Sequence, residues 1–271
     1  MAGIGDRQGE NPSRASNSAA QRRQIHRATH MTVADGATEP LRDRDIRCAL
    51  ARRIARQQRG REFLFVPEID VWGGWPGRID QVLITRRQIQ GFEIKSDVDS
   101  LRRLPVQVHA YSPVLERANL VTTTRHLDAA RAIIPPWWGI LLASRAGDGS
   151  ACITPERPAT ANPDLDVFQV TTFVCREQIV KYLRAQGVGS LSRRNVYSLR
   201  SLLVEGNTRG QVLAFARSVM MERTDWRHRN GAVTEGGTWV DDTLSNPKRG
   251  SFQRDAEHVS PWLQRRIGAL R

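Results

Sequence analysis

Apolar residues recur at helical spacing at Ile46, Ala49, Leu50 and Ile54, which predicts an amphipathic helix over 42–57 with an arginine-rich outer face. The short apolar run Phe63 to Pro67 reads as a strand, with Glu68 just beyond it. Trp72-Gly73-Gly74-Trp75-Pro76-Gly77 is a turn cluster, and with no Gly-Lys-Ser/Thr after it, it is not a phosphate cradle. Two runs rich in β-branched and apolar residues follow, Ile79 to Thr85 and Ile89 to Lys95, separated by the polar Arg86-Arg87-Gln88. That pattern is a β-hairpin. A helix capped by Ser96 or Asp99 is expected to run to about Glu116, broken or kinked at Pro105.

Further on, Asn119 to Thr123 reads as a strand, His126 to Ile134 as a helix stopped by Pro135-Pro136, and Trp138 to Ala143 as a buried strand. This order predicts an α/β fold with an αβββαβ core and a mixed sheet, a hairpin followed by crossover helices. After Ser144 the pattern changes. Gly147-Asp148-Gly149 suits a tight turn, 155–163 reads as a linker, and three helices are expected over 171–185, 194–204 and 210–222. The domains predicted are therefore an α/β domain over 39–155 and a small C-terminal helical unit over 165–224, read first as a cap packed on the sheet and otherwise as a helical pair that contacts phosphates through Arg193 and Arg194. Flanking them are a disordered segment over 1–38 and a mostly irregular tail over 225–271.

Composition narrows the partners. The chain carries a formal net charge of +13 over 271 residues, a field that attracts polyanions, nucleic acid first among them. An arginine-rich composition in the host would give the same charge with no such partner. Cys48, Cys152 and Cys175 are odd in number and widely spaced, which matches neither a disulfide framework nor a zinc pattern and suits a reducing cytoplasm. The apolar run Trp137 to Ala143 is too short to span a bilayer, and the N-terminal stretch lacks a charged-then-apolar signal pattern. No membrane partner is expected. The sequence does not fix an oligomeric state, and a homodimer is compatible with it.

The hairpin carries the chemistry. Side chains alternate along a strand, so Glu93 and Lys95 share a face, and folding about 86–89 brings Asp80 beside them. Two carboxylates set together call for a cation or a proton, and Mg²⁺ (or Mn²⁺) takes such oxygen ligands while keeping several waters. Of the 41 basic residues only Lys95, Lys181 and Lys248 are lysine. A lysine kept at position 95 points to a need for a compact ammonium that arginine's planar fork does not meet. The competing reading makes Lys95 an exposed strand residue and pairs the acids with a local arginine such as Arg78.

Arg78-Ile79-Asp80, then Glu93-Ile94-Lys95-Ser96, then Gln107 and Tyr111 one helical turn apart, resemble the PD-(D/E)XK nuclease superfamily. The likeness is to a bacterial branch with R-x-D, E-I-K-S and Q-x-x-x-Y motifs, and related DNA-repair proteins share the E-I-K-S strand. It covers roughly residues 40 to 143. The resemblance implies a restriction-endonuclease-like core and Mg²⁺-dependent hydrolysis of DNA phosphodiesters, in repair, defence or a mobile element. It implies metal ligands at Asp80, Glu93, the Ile94 carbonyl and Glu68, and catalytic roles for Asp80, Glu93, Lys95 and Gln107; a surface glutamate at a strand end is an equal reading of Glu68. Arg78, Arg102, Arg103 and Tyr111 are the expected nucleic-acid contacts, and the alternative for Tyr111 is a core residue whose hydroxyl reaches the edge. The rival expectation is a non-catalytic nucleic-acid- or protein-binding module that keeps the fold.

Overall fold

The computed structural model describes residues 39–72 and 76–223 and the backbone of 233–234. Contacts divide the chain into Met1–Glu39 and Pro40–Arg271, and all that follows concerns the second unit. The segment 1–38, expected to be disordered, lies outside the described residues, as does most of 225–271.

The first helix, α1 (Asp43–Gln57), buries Ile46, Ala49, Leu50, Ala51 and Ile54. Asp45 accepts from the Arg42 N–H, and with Asp43 it places negative charge at the positive end of the helix dipole. Strands β1 (Phe63–Val71), β2 (Gly77–Thr85) and β3 (Ile89–Lys95) form an antiparallel meander, and Thr85 Oγ1 accepts from the Arg87 and Gln88 N–H groups to close the β2–β3 turn.

A single 3-10 turn, Leu101–Arg103, leads into α2 (Leu104–Tyr111), with Pro105 in its first turn. Pro105 therefore opens the helix rather than kinking it, because an early position asks for no amide donor. Neither Ser96 nor Asp99 caps α2. Instead the Asp99 carboxylate accepts from Ser96 N and Oγ, closing the turn between strand and helix. The helix stops at Tyr111 and not near Glu116, just short of Pro113.

Then come β4 (Arg117–Thr122), α3 (Leu127–Ile133), β5 (Gly139–Arg145) and β6 (Ala151–Arg157). β3, β4 and β5 are parallel neighbours and β6 returns antiparallel. The seven-stranded mixed sheet is ordered β6-β5-β4-β3-β2-β1-β7, where β7 is Val233–Thr234 paired to β1. The start of the expected linker is thus the edge strand β6. It tolerates Pro155 because an edge strand has a side that needs no ladder donor, and the register shifts opposite Ile140 and Leu141.

Each sheet face has its own core. α1 covers Phe65, Leu83, Phe92, Ile94, Val121 and Leu141. The opposite face holds Val66, Val82, Ile84, Leu115 and Trp138 beneath α2 and the C-terminal helices α4 (Val167–Val170), α5 (Arg176–Ala185), α6 (Val196–Glu205) and α7 (Arg209–Glu222). Leu183, Leu203, Val212 and Met220 belong to this same cluster, so the C-terminal helices form the cap packed on the sheet and complete its core. Among the described residues no helix is long and apolar enough to cross a membrane.

Candidate functional site

The hairpin opens where its chemistry sits. β2 and β3 pair from Ile84↔Ile89 to Gln81↔Phe92 and no further, while β3 stays paired to β4 as far as Lys95↔Thr122. β2 meanwhile keeps to β1 as far as Val71↔Gly77. The sheet forks at Asp80 and Glu93. In the fork, Asp80 Oδ2 accepts the Ile94 N–H at 2.8 Å, taking the place of the missing strand partner. The N–H and C=O of one strand residue face the same neighbour, so the Ile94 carbonyl faces the fork as well.

Alternation also slips at this point. Leu64 and Val66 share the α2 side of the sheet with Ile69 and Val71, and Val82 and Ile84 share it with Ile79. Both strands therefore exchange faces at the same level, around the facing pair Glu68 and Asp80, which the ladder omits between Pro67↔Gln81 and Ile69↔Ile79. Glu68 absorbs the change with φ of 58°, left-handed backbone that costs a non-glycine residue on the order of 1 kcal/mol.

Glu93 and Lys95 are buried, with side chains 1% and 4% exposed, and Lys95 Nζ lies 2.5 Å from Glu93 Oε1. Lys95 is thus no exposed strand residue. The Tyr111 hydroxyl is 3.0 Å from Glu93 Oε2 and 2.5 Å from the Arg78 carbonyl, and the Gln107 amide also reaches Glu93 and Tyr111. Gln107 Oε1 is buried with no protein partner. The Tyr111 ring is buried and stacks on Trp138 at 6.4 Å between centroids. Tyr111 therefore braces Glu93 from within the core, which matches the core reading and not the nucleic-acid contact.

Arg78 is engaged elsewhere than on Asp80 or Glu93. Its Nε donates to Asp70 at 2.8 Å and its Nη1 lies 3.5 Å from Glu68. Arg102 and Arg103 are exposed on the turn before α2. The arginine that meets Asp80 is Arg47 of α1, which the sequence reading did not single out. Nη2 lies 3.0 Å from Glu68 Oε1 and 3.2 Å from Asp80 Oδ1, Nη1 donates to the Asp80 carbonyl, and Nε to Asp43. One signal could have found it, since Arg47 is flanked by Ile46 and the buried Leu50 and so borders the helix's apolar face.

The electrostatics are those of crowded, desolvated acids. Burial, then the charge of Glu93, pushes the Asp80 carboxyl up to about 8 against the pull of Arg47. Burial raises Glu93 as well, opposed by Lys95. Burial and both carboxylates push the Tyr111 phenol up, so it stays a donor.

Among the described residues no three or more His, Cys, Asp or Glu side chains are grouped to hold a metal. The donors that are present still fit a hard divalent cation. Asp80 and Glu93 repel one another in a desolvated place, and Gln107, which reaches Glu93, leaves its neutral Oε1 without a protein partner. Two carboxylates with neutral oxygens and retained waters is a common way to hold Mg²⁺.

Residues 38–232 match the family model of bacteriophage P4 protein cII. The chain belongs to that family. The match runs from just before α1 to beyond α7, so strands β1 to β6, the fork and the C-terminal helices fall within the cII family region. No curated protein matches the chain, and no solved structure matches it.

Proposed function

We propose that the chain is a divalent-metal-dependent nuclease of the PD-(D/E)XK type that hydrolyses DNA phosphodiesters. The observation that carries this reading is the fork, which sets Asp80 against Glu93 with Lys95 on the same carboxylate and Gln107 beside them. The order helix, three-strand meander, helix, parallel strand supports the same reading. A cation held here supplies the charge that polarises a phosphodiester and activates water. Asp80, Glu93, the Ile94 carbonyl and Gln107 Oε1 are its proposed ligands. Lys95 fixes the Glu93 carboxylate and presents an ammonium to the charge that develops on phosphate oxygens. The exposed Arg102 and Arg103 hold the nucleic-acid backbone without reading sequence. A family named for a bacteriophage protein supports a mobile-element setting.

One observation favours the second reading, a binding module that keeps the fold. Arg47 and Lys95 already set one cation against each of the two central acids, so each acid has a cationic partner without a metal. Labelled single-stranded, duplex and branched DNA incubated with the protein, with and without Mg²⁺ or Mn²⁺, separates the two. Cleavage that requires metal is the expected result, and binding without cleavage under every condition would establish the module.

A further inference from the structure

Arg47 has a different setting from the other arginines of α1. Its side chain is only 11% exposed, and its guanidinium meets the carboxylates of Asp43, Glu68 and Asp80 and the Asp80 carbonyl together. Asp80 Oδ2 is committed to the Ile94 N–H, so Oδ1 is the oxygen through which Asp80 meets a cation, and Arg47 Nη2 sits on it. The same Nη2 reaches Glu68 Oε1, on the residue whose left-handed backbone turns it toward Asp80. Two facing acids on adjacent strands and one guanidinium between them make a cation site with an occupant built into the chain.

We propose that Arg47 is an internal cation that holds Glu68 and Asp80 in readiness and yields Asp80 Oδ1 and Glu68 Oε1 when a divalent cation binds, so that Glu68, its Oε2 still 3.5 Å from Arg78 Nη1, joins the ligands through Oε1. This rests on the metal-dependent reading above. It makes Arg47 a positioning residue that sets metal affinity. A guanidinium and a divalent cation that share a carboxylate oppose one another, and couplings between ligands of that kind span about 5- to 150-fold.

The test is Mn²⁺ binding to the full chain by calorimetry, without nucleic acid. Arg47→Gln keeps hydrogen-bonding capacity and removes the charge, and we expect Mn²⁺ to bind about tenfold tighter than to wild type. Arg47→Gln combined with Glu68→Gln is expected to lose most of that gain, because the freed ligand is gone. If Arg47→Gln does not fold, as judged by circular dichroism, Arg47→Lys serves instead. An ammonium lacks the fork needed to bridge both acids, so a smaller tightening is expected. Unchanged or weaker binding in the folded single variant, with wild type binding Mn²⁺, overturns the role of Arg47 and leaves the metal site standing. A gain that survives Glu68→Gln overturns the role of Glu68. Failure of wild type and variants alike to bind Mn²⁺ removes the metal reading and this inference together.

Discussion

Lys95 and Glu93 form a buried pair, and what each does for the other follows from desolvation. Removing one charge strands the other where water cannot reach it, at a cost of about 3–5 kcal/mol. Lys95→Met should therefore lower stability by that order in chemical denaturation, and Glu93→Gln in the same chain should restore much of it. Equal loss in the single and double variants would show that packing, and not charge, sets the effect. Lys95→Arg keeps the charge but asks a buried space to hold a larger, planar group, so it should cost about 1–3 kcal/mol rather than fold untouched as an exposed site would allow. The Asp80 carboxyl, raised to about 8, binds a proton in the fold at pH values where the unfolded chain, titrating near 3.9, has lost it. By linkage its contribution is fully present below the unfolded value and lost as pH rises through the folded one. The metal-free melting temperature should fall between about pH 4 and pH 8. In Asp80→Asn that fall should flatten, and an undiminished slope would assign it to other groups.

At the scale of elements, the site depends on a hairpin held at both ends. At the turn end, Glu116 accepts the Ile89 N–H at 2.8 Å and takes a bidentate pair from Arg217 of α7, whose Nη1 also reaches the Arg86 carbonyl. Both side chains are about 15% exposed, and bidentate geometry gives such pairs their strength. Arg217→Met should cost ~2 kcal/mol or more by leaving Glu116 unpaired, measured as a shift in denaturation midpoint. A change within error would mean that Glu116 is satisfied by Ile89 alone. The hairpin itself was legible in the sequence because two β-branched runs flank a polar turn. So was the convergence of Asp80 with Glu93, but the simple alternation behind that expectation is not what places Asp80. The faces slip at Glu68 and Asp80, and nothing local in Glu68-Ile69-Asp70 marks a left-handed residue. β6 hid behind Pro155, which argues for a linker unless the strand is known to lie at an edge. α2 looked longer because Val114 and Leu115 carry on an apolar pattern that Pro113 interrupts. Arg47 hid in a chain where arginine is the ordinary cation, and only its tertiary partners distinguish it.

Across the whole molecule, the sheet has two buried faces and the C-terminal helices are needed to bury one of them. Val82, Ile84 and Leu115 share a cluster with residues of α5, α6 and α7, so a chain cut after Arg157 would expose the part of that face that α2 does not cover. Such a truncation should lose cooperative unfolding, and a sharp thermal transition in the cut chain would show that the helices are dispensable. The fork then works as a consequence of the whole: α1 supplies Arg47 from one face, α2 supplies Gln107 and Tyr111 from the other, and the splayed strands present Asp80 and Glu93 between them. The most direct measurement is the rate of DNA cleavage in Mg²⁺ by wild type and by Asp80→Asn, with DNA binding measured in parallel. A metal-dependent nuclease should lose about 10²-fold or more in cleavage while binding changes little, since binding rests on many backbone contacts. Cleavage by Asp80→Asn at the wild-type rate, or no cleavage by wild type on any DNA substrate, would contradict the account.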